Sequence, residues 1–250
     1  MNRSFKRIGA LSKRNAVEML RDPLSLLLML ALPLAMEVLF YFLFHKLTSQ
    51  FSMKYLAPGI AVFSCSFTTL FAGLLIAVDR STSFLTRLYV TGARAHEFII
   101  GYIVPFLPVV SVQSIIFLLV GCVIEPALFS VRLIPCLLFS VLISVLFISL
   151  GILFGSLCSE KSVGGVTSVI ITAQSLLSGM WFPVEGLGGG MVKVMDCLPF
   201  KNAVTLLQSS LNGTDDVKRD IIIPLLIILA YTIVSFISAV VVFRKKMRAD

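Results

Sequence analysis

An all-α membrane protein with six transmembrane helices and both termini on the cytoplasmic side is the fold that the sequence predicts. Three observations carry that prediction. Of 250 residues, 58% are hydrophobic and 14% charged, and mean hydropathy is +0.99. A soluble domain carries about a quarter charged residues to dress its surface. Six apolar runs approach the roughly 20 residues that a helix needs to cross hydrocarbon. The 21 Lys and Arg fall between those runs, with a bias to one side. The net charge of +8 would suit nucleic acid only if the basic residues shared one solvated face. No nucleic-acid partner is expected.

The elements follow in chain order, within one transmembrane domain spanning 1–250. Residues 1–22 read as an amphipathic helix lying in the headgroup plane. Phe5, Ile8, Ala16, Met19 and Leu20 gather on one face with Ser12 the polar intruder, and Arg3, Lys6, Lys13, Arg14 and Arg21 lie opposite. Pro23 disfavours helix at Asp22 and opens a new one. Spans are expected over 24–44, 55–78, 98–124, 133–157, 165–180 and 221–243. The first lacks a small-residue cleavage pattern and reads as a retained span. The fifth is short and rich in Ser and Thr. Backbone groups in hydrocarbon must pair internally, and no run alternates like a barrel strand, so each is a helix.

The loops at 45–54 and 125–132 are short. The loop 79–97, DRSTSFLTRLYVTGARAHE, places Phe84, Leu85, Leu88 and Tyr89 at i, i+1, i+4 and i+5. That is a short amphipathic helix flanked by Arg87 and stopped at Thr91-Gly92. In 181–220, Met191, Val192, Val194 and Met195, then Ala203, Val204, Leu206, Leu207 and Leu211, give two short apolar-faced helices separated by Leu198-Pro199. They dip back into the outer leaflet or pack on the spans. With the N-terminus inside, Lys and Arg favour the cytoplasm by roughly two to one.

Catalytic motifs are missing. There is no phosphate loop, and Gly188-Gly189-Gly190 lacks the strand, Lys and hydroxyl that one needs. His45 and His96 fall on opposite sides of the membrane and cannot share a metal. G-x-S-x-G is absent and no span holds a His, which leaves an intramembrane hydrolase unsupported. Five cysteines without C-x-x-C spacing read as packing residues. Neither a catalytic residue nor a metal site is expected. Glu37 alone is ionisable near mid-membrane, a position costing at least about 2.5–3.5 kcal/mol. It reads either as a cation or substrate contact or as a neutral or hydrogen-bonded carboxyl near the outer leaflet. An ion-driven carrier would normally carry more such groups, so the energy source is expected outside the chain.

Three segments resemble the ABC-2 type permeases, the membrane subunits of type V ABC exporters. The first is NAVEMLRDPLSLLLMLALP, from Asn15 to Pro33. The second is DRSTSFLTRLYVTGAR with EFIIGY after it. The third and most specific is LLSGMWFPVEGL with the later LPFKNA, between Leu176 and Ala203. The resemblance covers essentially the whole chain. Gly92 departs from it, standing where the family often has Pro after Thr.

The resemblance implies a homo- or heterodimer of permeases on separately encoded cytoplasmic ABC nucleotide-binding subunits. Those subunits hold ATP and magnesium, and this chain binds no cofactor. It implies a coupling helix at 83–94, with Phe84, Arg87, Leu88 and Arg94 meeting the ATPase, and a second contact through the interfacial helix. Re-entrant helices within 181–211 would close the outer end, with Trp181, Phe182, Pro183 and Glu185 as the extracellular gate. A pathway along spans two and five would be lined by Phe63, Phe67 and Phe71, and by Thr172, Gln174, Ser175 and Ser178, beside Thr167 and Ser168. Against that reading, the Phe stripe faces lipid and the hydroxyls bond their own helix or a neighbour.

The expected activity is ATP-driven export of an amphiphile (a drug-like compound, a lipid-linked glycan or an antimicrobial peptide) through a bacterial inner (plasma) membrane, in contact with its lipid. The alternatives are a non-transporting receptor or immunity module and an ion-coupled carrier using Glu37.

Overall fold

The computed structural model describes residues 3–82, 94–182, 184 and 188–246. Every regular element among them is helical. Helix α1 spans Arg3–Leu20, α2 Pro23–Phe44 and α3 Met53–Ser81. Then come α4, Ala95–Ile103, and α5, Phe106–Ile124. They are followed by α6, Leu133–Leu157, and α7, Glu160–Leu177. Last are α8, Gly189–Cys197, α9, Pro199–Asn212, a π-turn at Lys218–Ile222, and α10, Ile223–Lys246.

Among the described residues, five stretches are long and apolar enough to cross a membrane: Pro23–Phe44, Met53–Ser81, Ala95–Ile124, Leu133–Leu157 and Lys218–Lys245. The chain is therefore a multi-pass membrane protein. The sixth expected crossing does not meet that standard. Helix α7 is about 27 Å long at 1.5 Å per residue, but it opens on Glu160-Lys161 and carries six Ser, Thr and Gln side chains. It also sits earlier than the expected 165–180.

The third apolar run is broken. Pro105 has no N–H, and its ring would clash with the carbonyl of Gly101, so α4 stops at Ile103 and α5 restarts at Phe106. Gly101 O is thereby left without its helical donor, and α1 supplies two: Asn15 Nδ2 at 3.2 Å and Ser12 Oγ at 3.4 Å. Pro58 acts the same way on α3. It vacates Lys54 O, which accepts Asn212 Nδ2 of α9 at 2.8 Å. Gln208 Nε2 adds a bond to Tyr55 O at 3.0 Å. Each proline thus opens a polar docking point for a helix that lies across the bundle end.

Helix α3 is the hub, packed against α2, α5, α6, α7 and α9. Its tightest crossing is with α6. A Cβ at Gly151 would lie 2.4 Å from Thr69 O, and one at Gly155 would lie 2.3 Å from Gly73 O. Small residues let the two backbones touch, and Thr69 Oγ1 donates across to Phe147 O at 3.0 Å. Helices α2 and α10 are peripheral, with Leu27, Leu28, Leu32, Leu39, Ile233, Val234 and Ile237 exposed as a lipid-facing surface.

Both described termini lie at one end of the bundle. Ser4 donates to Glu97, and the Phe98 and Phe243 rings stand 5.5 Å apart. Helices α8 and α9 close the other end. There Glu125 Oε1 accepts Met53 N–H at 3.1 Å, serving the N-terminus of α3.

Candidate functional site

Two regions concentrate polar and aromatic side chains, one at each end of the bundle. At the end shared by the termini, α1 lies across α4. A Cβ at Gly101 would meet Leu11 Cδ2 at 2.7 Å and Cβ at 3.1 Å, so any side chain there would make Leu11 and α1 give way. The docked face of α1 is centred on Leu11 and Asn15, both buried. It is turned about one residue step, roughly 100°, from the apolar face read in the sequence. Phe5 and Leu20 on that apolar face remain 69% exposed, placed to meet lipid.

From the docked face Arg14 reaches the last turn of α3. Its Nη1 and Nη2 donate to Asp79 Oδ2 at 2.5 Å and Oδ1 at 2.7 Å, a bidentate pair. Tyr102 of α4 donates its hydroxyl to the same carboxylate, which is 1% exposed. Arg14 Nη2 also meets Glu18 Oε2 at 2.6 Å. Burial pulls the Arg14 guanidinium down, but the hydrogen bond and charge of Asp79 outweigh it and hold it above the ordinary arginine value. Burial pushes the Glu18 carboxyl up, against the pull of Arg14.

A matching arrangement sits on the first turn of α4. Glu97, buried, accepts the Ser4 hydroxyl and the Arg94 backbone N–H at 3.0 Å, and it pairs with Arg7 at 3.6 Å. Arg80, beside Asp79, donates through Nη1 to Gly155 O, Ser156 O and Cys158 O at 2.9, 2.6 and 3.2 Å. It thereby serves the open carbonyls at the end of α6. Both flanks of the loop 79–97 are therefore anchored. Phe84, Arg87 and Leu88 lie outside the described residues, and Arg94 is exposed at the N-terminus of α4.

At the opposite end Trp181 is the centre. Its ring stands edge-on to Phe40 at 4.7 Å and to Phe63 at 6.0 Å, and Nε1 donates to Ser175 Oγ at 2.8 Å. Phe63 meets Phe67 edge-on at 5.2 Å. Phe71 does not join them. It lines a cavity of about 280 Å³ near the other end with Met19, Met29, Leu75 and Phe106, with Glu18 and Asp22 also in its wall. Phe182 is exposed, and Pro183 and Glu185 lie outside the described residues.

On α7, Thr167 and Gln174 are buried, Thr167 against α3, as is Ser178 just past its end, while Ser168 and Thr172 face outward. The hydroxyls mostly bond their own helix: Thr167 to Val163 O, Ser168 to Gly164 O, Thr172 to Ser168 O. Gln174 has no partner for either amide atom among the described residues, and Glu37, fully buried, has none for either oxygen. Among the described residues no cluster could hold a metal ion, and all five cysteines are free thiols.

Sequence reasoning missed the partnership of Arg14, Asp79 and Tyr102, and the roles of Asn15, Glu97 and Gly101. One signal was available: Gly101 stands four residues before Pro105, marking a vacated carbonyl beneath a position without a side chain.

A family model described as ABC-2 type transporter matches residues 6–212, from within α1 to the end of α9. A comparison with curated proteins finds no match. Permease domains of this kind work in general with an ATPase subunit and are not themselves nucleotide-binding domains. With that match over most of its length, the chain belongs to the ABC-2 type transporter family, as a membrane-embedded permease component of ABC transport.

Proposed function

We propose that this chain is one of two permease subunits that export an amphiphile from the cytoplasm or inner leaflet. ATP and magnesium act on separate cytoplasmic ABC subunits, and the membrane is the inner membrane of a bacterium. One observation carries this reading: both flanks of the loop 79–97 are fixed by buried carboxylates, Asp79 and Glu97, at the end where the basic residues concentrate. A segment held at both flanks receives a push as a rigid body. The positive-inside rule supports a cytoplasmic position for that end, with α7 as a sixth crossing and both termini inside.

The outward face of α7, with Gly165, Ser168, Val169, Thr172 and Leu176, is open in this chain and suits a second permease subunit. The Trp181, Phe40 and Phe63 cluster suits an outer gate. Phe67, Gln174 and Ser175 beside it offer an apolar wall with a few polar groups, the lining that an amphiphile needs.

The test is transport in proteoliposomes holding the complex with its co-purifying ATPase and the amphiphilic dye Hoechst 33342. Replacing Phe84, Arg87 and Leu88 together by Ala is expected to lower dye moved per ATP by roughly tenfold or more, with insertion unchanged. Unchanged transport in that variant counts against the relay. Saturable dye binding without ATP-dependent movement in the unaltered complex would favour a receptor or immunity module.

The orphan carboxyl of Glu37 favours one second reading, an ion-coupled carrier. Ionophores that collapse the proton and sodium gradients, and Glu37→Gln, are both expected to leave ATP-driven transport within about twofold. Loss under either treatment would favour ion coupling.

A further inference from the structure

We propose that α1 is a strap that binds the two flanks of the cytoplasmic loop into one moving unit, with Arg14 and Asp79 as its positioning residues. The inference rests on the reading of that loop as the ATPase contact. The loop leaves α3 at Asp79 and enters α4 at Glu97, and α1 holds both: Arg14 grips Asp79, and Ser4 and Arg7 hold Glu97. Helix α1 is also the principal neighbour of α4. Its hold there is set by Leu11 over Gly101 and by Asn15 on Gly101 O.

Tyr102 closes the triangle, joining α4 to the carboxylate that α1 and α3 already share. Movement of α4 relative to α3 must therefore either carry α1 along or break a buried bidentate pair. Basic residues that only fixed topology would need neither bidentate geometry nor buried acids. Here the guanidinium fork is matched to one carboxylate at 2.5 and 2.7 Å, a fit that Lys cannot reproduce.

The experiment is hydrogen–deuterium exchange on the full chain in complex with its co-purifying ATPase, in nanodiscs, with and without MgATP and vanadate. In the unaltered complex, exchange in 3–20 and in 95–103 is expected to change together, by about threefold or more. Asp79→Asn keeps shape and an acceptor for Tyr102 but loses the charge. The end of α3, at 76–82, is then expected to respond while 3–20 and 95–103, still joined through Leu11, Asn15 and Ser4, no longer follow it. Arg14→Lys, which keeps charge without the fork, is expected to lose roughly half of the 3–20 response. The exchanged pair Arg14→Asp with Asp79→Arg leaves net charge and topology signals unchanged and is expected to restore the response to within about twofold.

The strap is overturned if 3–20 responds fully in both single variants, or if the exchanged pair does not restore the lost response. If neither segment responds in the unaltered complex, the loop is not the ATPase contact. That result removes the functional reading itself and the strap with it.

Discussion

Gly155→Ala is expected to cut the yield of folded protein in the membrane by about an order of magnitude, a single methyl doing the damage. Its Cβ would stand 2.3 Å from Gly73 O and 2.3 Å from Ile76 Cγ2. The first obstacle is backbone of a helix packed on five neighbours, so it has nowhere to go. Helices α3 and α6 would have to separate, stretching the Thr69 to Phe147 bond and the three bonds from Arg80. Overpacking usually costs about 1–3 kcal/mol, and a forced separation of two backbones belongs at or above the top of that range. A total stability of about 5–15 kcal/mol leaves little room for it. Gly151→Ala, 2.4 Å from Thr69 O, should behave alike. Gly164→Ala is the control: a Cβ there meets nothing within 4 Å, and Ala is the better helix former. Thermal stability of the detergent-solubilised protein, read by size-exclusion chromatography, checks the series. Equal melting of the Gly155 and Gly164 variants would show that the α3–α6 crossing is not as described.

Arg14→Met ranks next, with an expected loss of about 3–5 kcal/mol, because it strands a buried acid. Asp79 would keep only the Tyr102 hydroxyl while remaining 1% exposed. The reverse change is milder: in Asp79→Asn the guanidinium, about one-third exposed, retains Glu18. The order of the two variants is therefore diagnostic, since a surface ion pair would give small and similar losses from either side, about 0–1 kcal/mol. Melting of both variants at low and high salt provides the measurement. A gap between them that persists at high salt identifies the pair as buried, and equal small losses would place it at the surface.

The helices that lie in uninterrupted apolar stretches were the legible part of the fold. Leu133–Leu157 is one continuous run bounded by Arg132 and Cys158-Ser159-Glu160, and hydropathy marks both ends. Hydropathy is blind to Pro105, which carries as apolar a side chain as its neighbours yet breaks the helix by lacking a proton. It also undervalues α7, read from the sequence as a short span at 165–180, whose Ser and Thr hydroxyls are satisfied by their own helix. That makes α7 more at home beside α3 than its letters suggest. The α1 docking face was hidden for a related reason. Periodicity weighs apolar residues, and it found the face with Phe5 and Leu20, whereas the protein-facing side is built on Asn15, Arg14 and Leu11. At the candidate pathway, an i, i+4, i+8 aromatic stripe implied one surface. Phe63 and Phe67 share a cluster with Trp181, but Phe71 sits about 12 Å from Phe63 along the helix axis and belongs to a different cavity. Spacing on one helix does not say which neighbours stand opposite.

The carbonyl released by Pro105 also orders events in time. Asn15 leaves the ribosome 86 residues ahead of its acceptor on Gly101. At about 5–20 residues per second, synthesis of the intervening chain takes roughly 4–17 seconds. Throughout that interval α1 lacks its principal neighbour, α4, and its exposed Phe5, Val17 and Leu20 give it a resting place among lipid headgroups. Docking on α4 becomes possible only after the two apolar stretches Pro23–Phe44 and Met53–Ser81 have been made, so α1 settles later than elements that follow it in the chain.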